Sequence, residues 1–289
     1  MDDQMLWKLM RESWIKIQQS YDPAIKPIVE ESEINIREWM LLIAALTFEP
    51  EDTTPSHLMV RGPYTSSDQY LSRLERAAAE GYLEHKSQGS FHLSEKGRRA
   101  VLKFIKVARE AMTEADNLDN EDGQMLTELL ARLVHNCLDT PPPPNTWSIG
   151  LSFKLMPANE PAMPFIEQAF SCLLAYRDDA HLASWQSSGL SASALESLTL
   201  IWRGEISTVD QLTERLSFRG HPKKVYLDAL AELRSHDYIS GFQNVMRVTE
   251  EGKLFRDRVE ASTDHYFFAP WDCLNANEKE QMAEILNEI

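Results

Sequence analysis

Cysteine is scarce: Cys137, Cys172 and Cys273 are spread over 289 residues, and no two form a CxxC pair. An odd, sparse set offers no disulfide framework and no zinc-type spacing, so reduced thiols and a cytosolic address are expected. Long apolar runs are missing as well. None approaches the roughly 20 residues that a spanning helix needs, so no membrane partner is expected. The opening Met1-Asp2-Asp3-Gln4 lacks the cationic start and apolar middle of a secretory signal, which again points to the cytoplasm. Catalytic signatures are absent too: there is no GxSxG elbow, no GxxxxGKS/T phosphate loop and no GxGxxG fingerprint. The eight histidines fall into no HExxH or comparable ligand spacing. No enzyme, cofactor or metal is expected.

Positive charge is in deficit, with a formal net charge of −16, which speaks against a nucleic-acid partner until its distribution is read. Residues 54–100 hold seven Lys/Arg against five Asp/Glu, and residues 208–258 hold nine against eight. The acid lies elsewhere, and such asymmetry bears on partners rather than on fold.

What is present is helical periodicity over most of the chain, in a length suited to two domains. Trp7, Met10, Trp14 and Ile17 mark a helix over 7–19; Ile36, Met40, Ile43 and Leu46 form one stripe of a second over 34–48. Thr54-Pro55 opens a short helix as cap and first residue, and Gly62-Pro63 ends it. A helix over about 65–80 follows, with Tyr70, Leu71, Leu74 and Ala78 expected inward and Gly81 past its end. Tyr82–Lys86, a turn at 87–89 and Ser90–Leu93 read as a hairpin, and Ser94 caps a helix to about Ala115.

The same order returns downstream. At a shift of 156, Tyr70-Leu71 falls on Tyr226-Leu227, Leu74 on Leu230 and Tyr82-Leu83 on Tyr238-Ile239. At 155, Leu93–Gly97 falls on Val248–Gly252; at 154, Thr54 and Leu58 fall on Thr208 and Leu212. The offset changes where loops should absorb it. The expected fold is mainly α with small β-hairpin wings: two winged helix-turn-helix units joined by a helical core. Residues 1–121 would hold the first unit, 122–189 the joiner with the run Pro141-Pro142-Pro143-Pro144, and 190–289 the second unit. Helices over 122–138, 163–186, 192–202 and 276–289 complete the pattern, with Ser191 as a cap.

Leu71-Ser72-Arg73-Leu74-Glu75-Arg76, Gly81-Tyr82-Leu83-Glu84 and Leu93-Ser94-Glu95-Lys96-Gly97-Arg98 resemble the recognition helix, wing entry and post-wing helix of the MarR family of winged-helix regulators. In the second half His236-Asp237 stands where glycine is usual. The resemblance implies a single-chain pseudo-dimer, able to pair again, that binds double-stranded DNA and responds to a small aromatic effector.

On that plan the third helix of each unit enters the major groove. Outward positions in the first unit are Ser66, Ser67, Gln69 and Arg73, with Arg61 before them and His85, Lys86 and Gln88 on the wing. In the second they are Arg219, His221, Lys223 and Lys224, with Gln243, Asn244 and Arg247 on the wing. Ser and Gln can bond base edges, Arg can read guanine or phosphate, and the lysines would mainly neutralise phosphates. Unlike helices imply an asymmetric site. The plain alternative is that these side chains are solvated helix faces, and the rival function is a winged-helix protein-interaction module.

Trp147, Trp185 and Trp271 are candidates to line an effector cleft, with core packing as the alternative. Trp39 and Trp202 read as core at equivalent positions of the two first helices. Asp178, His181 and Trp185 share one helix face, where a satisfied hydrogen bond beneath a core tryptophan is favoured over a pH-responsive histidine.

Overall fold

Helix α1 (Asp3–Glu30) opens the chain in the computed structural model, which describes residues 1–140, 147–158, 161–241 and 245–289. The proline run at 141–144 lies outside the described residues, as do Gln243 and Asn244 of the second wing. There follow α2 (Ile36–Phe48), α3 (Pro55–Arg61), α4 (Ser67–Ala79), the hairpin β1 (Leu83–Ser87) and β2 (Ser90–Leu93), and α5 (Glu95–Glu114). Then come α6 (Asn120–Asp139), the short α7 (Trp147–Phe153), α8 (Ala162–Gln186) and α9 (Ala192–Trp202). Helix α10 (Val209–Arg215), a 3-10 turn (Ser217–Arg219), α11 (Lys223–Ser235), the hairpin β3 (Ile239–Ser240) and β4 (Arg247–Val248), and α12 (Glu250–Phe268) come next. A 3-10 segment (Ala269–Cys273) and α13 (Ala276–Leu286) end the chain. The mainly-α fold with two small antiparallel wings is therefore as expected.

Contacts divide the chain into two compact units. One comprises Met1–Thr53, Leu74–Asp179 and Tyr266–Ile289; the other comprises Thr54–Arg73 and Ala180–His265. Helix α3 and the start of α4 thus belong with the later helices, a grouping that chain order at 121/122 and 189/190 does not show.

In the first unit, α1 is capped by Asp2, whose carboxylate accepts from the Met5 N–H at 2.7 Å. It runs well past the expected end at residue 19, through Pro23 and Pro27, because its buried stripe continues from Met10 and Ile17 to Ile25. Ser13 donates to the Leu286 carbonyl at 3.0 Å and Lys279 pairs with Asp3 at 2.6 Å, fastening α13 to α1.

Helix α2 departs from expectation. Ile36 and Met40 are exposed, and Trp39, Leu41, Leu42, Ala45 and Phe48 face inward. A helix apolar on nearly every side leaves the 3.6-residue period without a preferred face. Here the Asn35–Glu38 capping box and the bulk of Trp39 choose it: Glu38 accepts from the Asn35 N–H at 2.9 Å and from Arg76 at 3.3 Å, and Trp39 stacks on Phe104 at 5.3 Å. Trp202 is not its counterpart, since it ends α9 half-buried under the Arg256 guanidinium, 5.4 Å from the ring.

The second unit centres on Leu195, Leu198 and Ile201 of α9, Leu212 of α10, Tyr226, Leu230 and Leu233 of α11, and Phe255 and Val259 of α12. Each large side chain buried there contributes roughly 1.5–3 kcal/mol.

The same hydrogen bonds occur in both runs of elements, at the offsets read from the sequence. Thr54 caps His57 at 3.1 Å and Thr208 caps Gln211 at 3.2 Å. The Tyr70 hydroxyl donates to the Gly62 carbonyl and that of Tyr226 to the Leu216 carbonyl, both at 3.2 Å. Tyr82 N–H donates to Ala77 and Tyr238 N–H to Leu233, both at 2.9 Å; Phe91 N–H donates to Thr53 at 3.0 Å and Met246 N–H to Ser207 at 2.7 Å. Gly97 and Gly252 lie so close to the Tyr82 and Tyr238 carbonyls that neither has room for a Cβ. Such agreement in turns and caps, where sequence matches are few, is evidence for one local architecture used twice.

Past the end of α4, Gly81 takes a left-handed φ of +75°; past α11 the same role falls to Asp237 at φ +57°. A side chain there costs about 1 kcal/mol. Asp237→Gly should therefore raise stability by about 0.5–1 kcal/mol and Gly81→Ala lower it by about as much, read from urea midpoints. A neutral or destabilising Asp237→Gly would contradict this equivalence of the two helix ends.

Candidate nucleic-acid interface

A helix N-terminus leaves four backbone N–H groups without intrahelical partners, and in a reading helix these and the first-turn side chains face the nucleic acid. At the start of α4 one side of this turn, at Ser66, Gln69 and Arg73, faces protein, while Ser67 and Asp68 are exposed. Within the second unit, the 3-10 turn at Ser217–Arg219 and the following Gly220-His221 sit against Tyr64–Arg73. The Ser66 N–H donates to the Arg219 carbonyl at 2.9 Å and the Ser66 hydroxyl to the Gly220 carbonyl at 3.2 Å. The same hydroxyl accepts from the Gln69 N–H at 3.1 Å, so Ser66 caps α4 while tying it to the turn. Arg73 is only 8% exposed and donates to the Phe218 carbonyl at 2.7 Å. His221 Nε2 lies 3.1 Å from the Tyr64 carbonyl.

Arg219 binds both sides of this junction. Its Nε and Nη2 donate to Glu196 Oε1 of α9 at 3.0 and 2.7 Å, and its Nη1 donates to the Thr65 hydroxyl at 3.2 Å. The guanidinium also lies over the Phe218 and Tyr64 rings, at 4.7 and 5.5 Å. Burial raises the Glu196 carboxyl above its ordinary pKa, and Arg219 only partly offsets the shift. Burial first, then the Glu196 charge, pushes the Tyr226 phenol up to about 12. Gly220 adopts φ +74°, and a Cβ placed on it would come within 2.5 Å of Gln69 Cβ. Glycine is needed here twice over, for the backbone and for the space.

The sequence-derived candidates separate accordingly. Ser66, Gln69, Arg73, Arg219 and His221 meet in the junction. Arg73, expected to point outward, is turned in, which corrects the inward set of α4 to Tyr70, Arg73, Leu74 and Ala77. Arg61 and Ser67 are exposed, as is Lys86 on β1. Lys223 and Lys224 are exposed at the start of α11, where Lys223 pairs with Asp210 and Lys224 with Asp228 at 2.7 Å. Arg247 is exposed on β4, opposite Ser240. Sequence reasoning missed Tyr64, Thr65, Glu196, Phe218 and Gly220. Only the Gly220-His221-Pro222 turn chemistry hinted at a special position.

The tryptophans sit in separate aromatic clusters. Trp147 is half-buried with its ring 5.5 Å from Phe48, and Trp185 is buried 6.0 Å from Tyr64. Trp271 is fully buried among Trp7, Phe267 and Phe268. Asp179 of α8, the neighbour of Asp178, is buried; it accepts from the Ser148 and Ile149 N–H groups at 3.0 and 3.1 Å and caps α7. His181 faces Thr263 at 3.4 Å.

Residues 156–289 match a helix-turn-helix family, a span that includes α9, α10, α11 and the β3–β4 hairpin. No curated protein and no solved structure matches the chain. The family match supports a helix-turn-helix DNA-binding domain in this half and a DNA-binding regulator in general. It does not extend to α2–α5, which repeat the same hydrogen bonds.

Gly89 offers a control for the junction, having the same φ of +74° with nothing within 4 Å of a built Cβ. Gly89→Ala should cost about 1 kcal/mol for the left-handed backbone alone. Gly220→Ala should cost about 2–4 kcal/mol, the excess coming from overlap with Gln69. Equal losses in urea unfolding would mean that the turn does not bear on α4 in solution.

Proposed function

We propose that the chain is a sequence-specific DNA-binding transcriptional regulator, built from two winged helix-turn-helix units of MarR-like order in one polypeptide. The observation that carries the reading is a coincidence of two findings: the helix-turn-helix match covers residues 156–289, and within that span Lys223, Lys224 and Arg247 lie exposed on α11 and its wing. The ion pairs holding the two lysines are no obstacle. Their partners Asp210 and Asp228 are 80% and 64% exposed, and such surface pairs are worth about 0–1 kcal/mol, so a phosphate can replace the carboxylate. The net charge of −16 opposes approach to DNA through the whole-molecule field, which makes the local cations all the more necessary.

A small aromatic effector has less behind it, because Trp185 and Trp271 serve as core packing. The rival reading, a protein-interaction module, draws on the start of α4, whose polar groups already bond to protein.

Replacing both Lys223 and Lys224 with alanine should weaken binding to all DNA sequences by a similar factor. The slope of log affinity against log salt should fall by about two units, roughly 0.9 for each phosphate no longer neutralised. Stability should change by less than about 0.5 kcal/mol, as at other surface sites. Fluorescence anisotropy at several salt concentrations measures both affinity and slope. An unchanged slope and affinity would remove α11 from the DNA interface and favour the protein-interaction reading.

A further inference from the structure

The two third helices carry a similar inward pattern and differ outward chiefly in their first turn. On α11, Tyr226, Ala229, Leu230 and Leu233 are buried. At about 100° per residue, Lys223, Lys224, Leu227, Asp228, Ala231 and Arg234 then fall on the outward side, and all are exposed. Leu227 is 41% exposed and lies between Lys223 and Lys224 around the helix, with Asp228 beyond Lys224 and paired to it at 2.7 Å. An exposed leucine alone is ordinary; here it is a large apolar group set between two lysines at the start of the helix.

Helix α4 differs at the matching positions. Ser67 and Asp68 stand where α11 has Lys223 and Lys224, and Glu75 stands where α11 has Ala231; further along, Ser72 and Arg76 stand where α11 has Asp228 and Glu232. Leu71, the counterpart of Leu227, is half-buried, and Arg76 pairs with the buried Glu38 at 3.3 Å. The remaining side of its first turns, Ser66, Gln69 and Arg73, is held by the 217–221 turn. Asp68 in its first turn and a docked turn along its other side leave the start of α4 less suited to a polyanion than the start of α11.

We propose that α11 alone enters the major groove and that Leu227 reads the 5-methyl group of a thymine there. The proposal rests on the DNA-binding reading and assigns its base-recognition residue. The lysines at the margins of the face would meet phosphates, which carry no sequence information. The apolar group between them would meet the floor of the groove, where the thymine methyl is the main apolar feature. One reading helix per chain also makes the recognised sequence a single short asymmetric element.

The test uses the full chain and a duplex selected by it from random DNA, with each thymine replaced in turn by deoxyuridine. The wild type should lose about fourfold in affinity at one thymine, the factor that burial of one such carbon supplies. Leu227→Ala should bind the thymine and uracil duplexes equally, with the salt slope unchanged. Gln69→Ala should leave every base preference as it was. A wild type indifferent to uracil at all positions, yet still binding in a salt-dependent way, overturns the role of Leu227 and leaves the DNA-binding reading standing. A base preference lost in Gln69→Ala overturns α11 as sole reader. Failure of the wild type to select any duplex overturns the reading beneath both.

Discussion

The N–H of Ser66 would be a free donor at the mouth of a reading helix; in this protein it ends 2.9 Å from the Arg219 carbonyl. Unpaired helix-start amides attract phosphates. Once this amide and the Ser66 hydroxyl bond to a neighbouring turn, the Ser66 side of the start of α4 is committed to protein, with Ser67 and Asp68 left exposed. The rest of the junction follows from making room for that turn. Gly220 gives the left-handed backbone and the close approach to Gln69, Arg73 reaches in to the Phe218 carbonyl, and Arg219 is anchored by Glu196 and Thr65. Contacts of this kind also explain why α3 and the start of α4 group with residues 180–265.

The junction breaks the equivalence of the two repeats. Their turns and caps are held by the same hydrogen bonds. First-turn chemistry separates them: α4 begins with Ser67 and Asp68 outward, while α11 begins with Lys223 and Lys224. In a chain with a net charge of −16, the proposed reading relies on those two lysines to work against the general field. Repulsion elsewhere on the surface would then help to fix the orientation in which DNA is met.

Periodicity made nearly all of the helices legible, and caps made their ends legible. Ser94 and Ser191 stand where expected and act as expected, accepting from Gly97 at 2.9 Å and Ala194 at 3.2 Å. The hairpins were legible because tyrosine and glycine stand at positions where a turn or a close approach requires them. Inward faces were less so. The period of α2 could not choose between an Ile36–Met40 stripe and a Trp39–Leu42 stripe, since both are apolar. Arg73 looked outward because arginine is rarely buried, and it lies inside because the Phe218 carbonyl needs a donor. Contacts between residues some 150 positions apart leave no periodic trace, so Tyr64 and Phe218 could not be picked out from spacing, and Glu196 became recognisable only through its Arg219 partner. The tryptophans were equivocal for a simpler reason: a large indole suits a core and a ligand cleft alike.

Hydrogen exchange of the Ser66 amide tests most directly whether the start of α4 is closed. A donor held by the Arg219 carbonyl should be protected in the free protein, to a degree set by opening of the second unit, and should change little when DNA is added. A Ser66 amide that exchanges as freely as an exposed helix start, and becomes protected only with DNA bound, would show that α4 is open and that it is a reading helix after all.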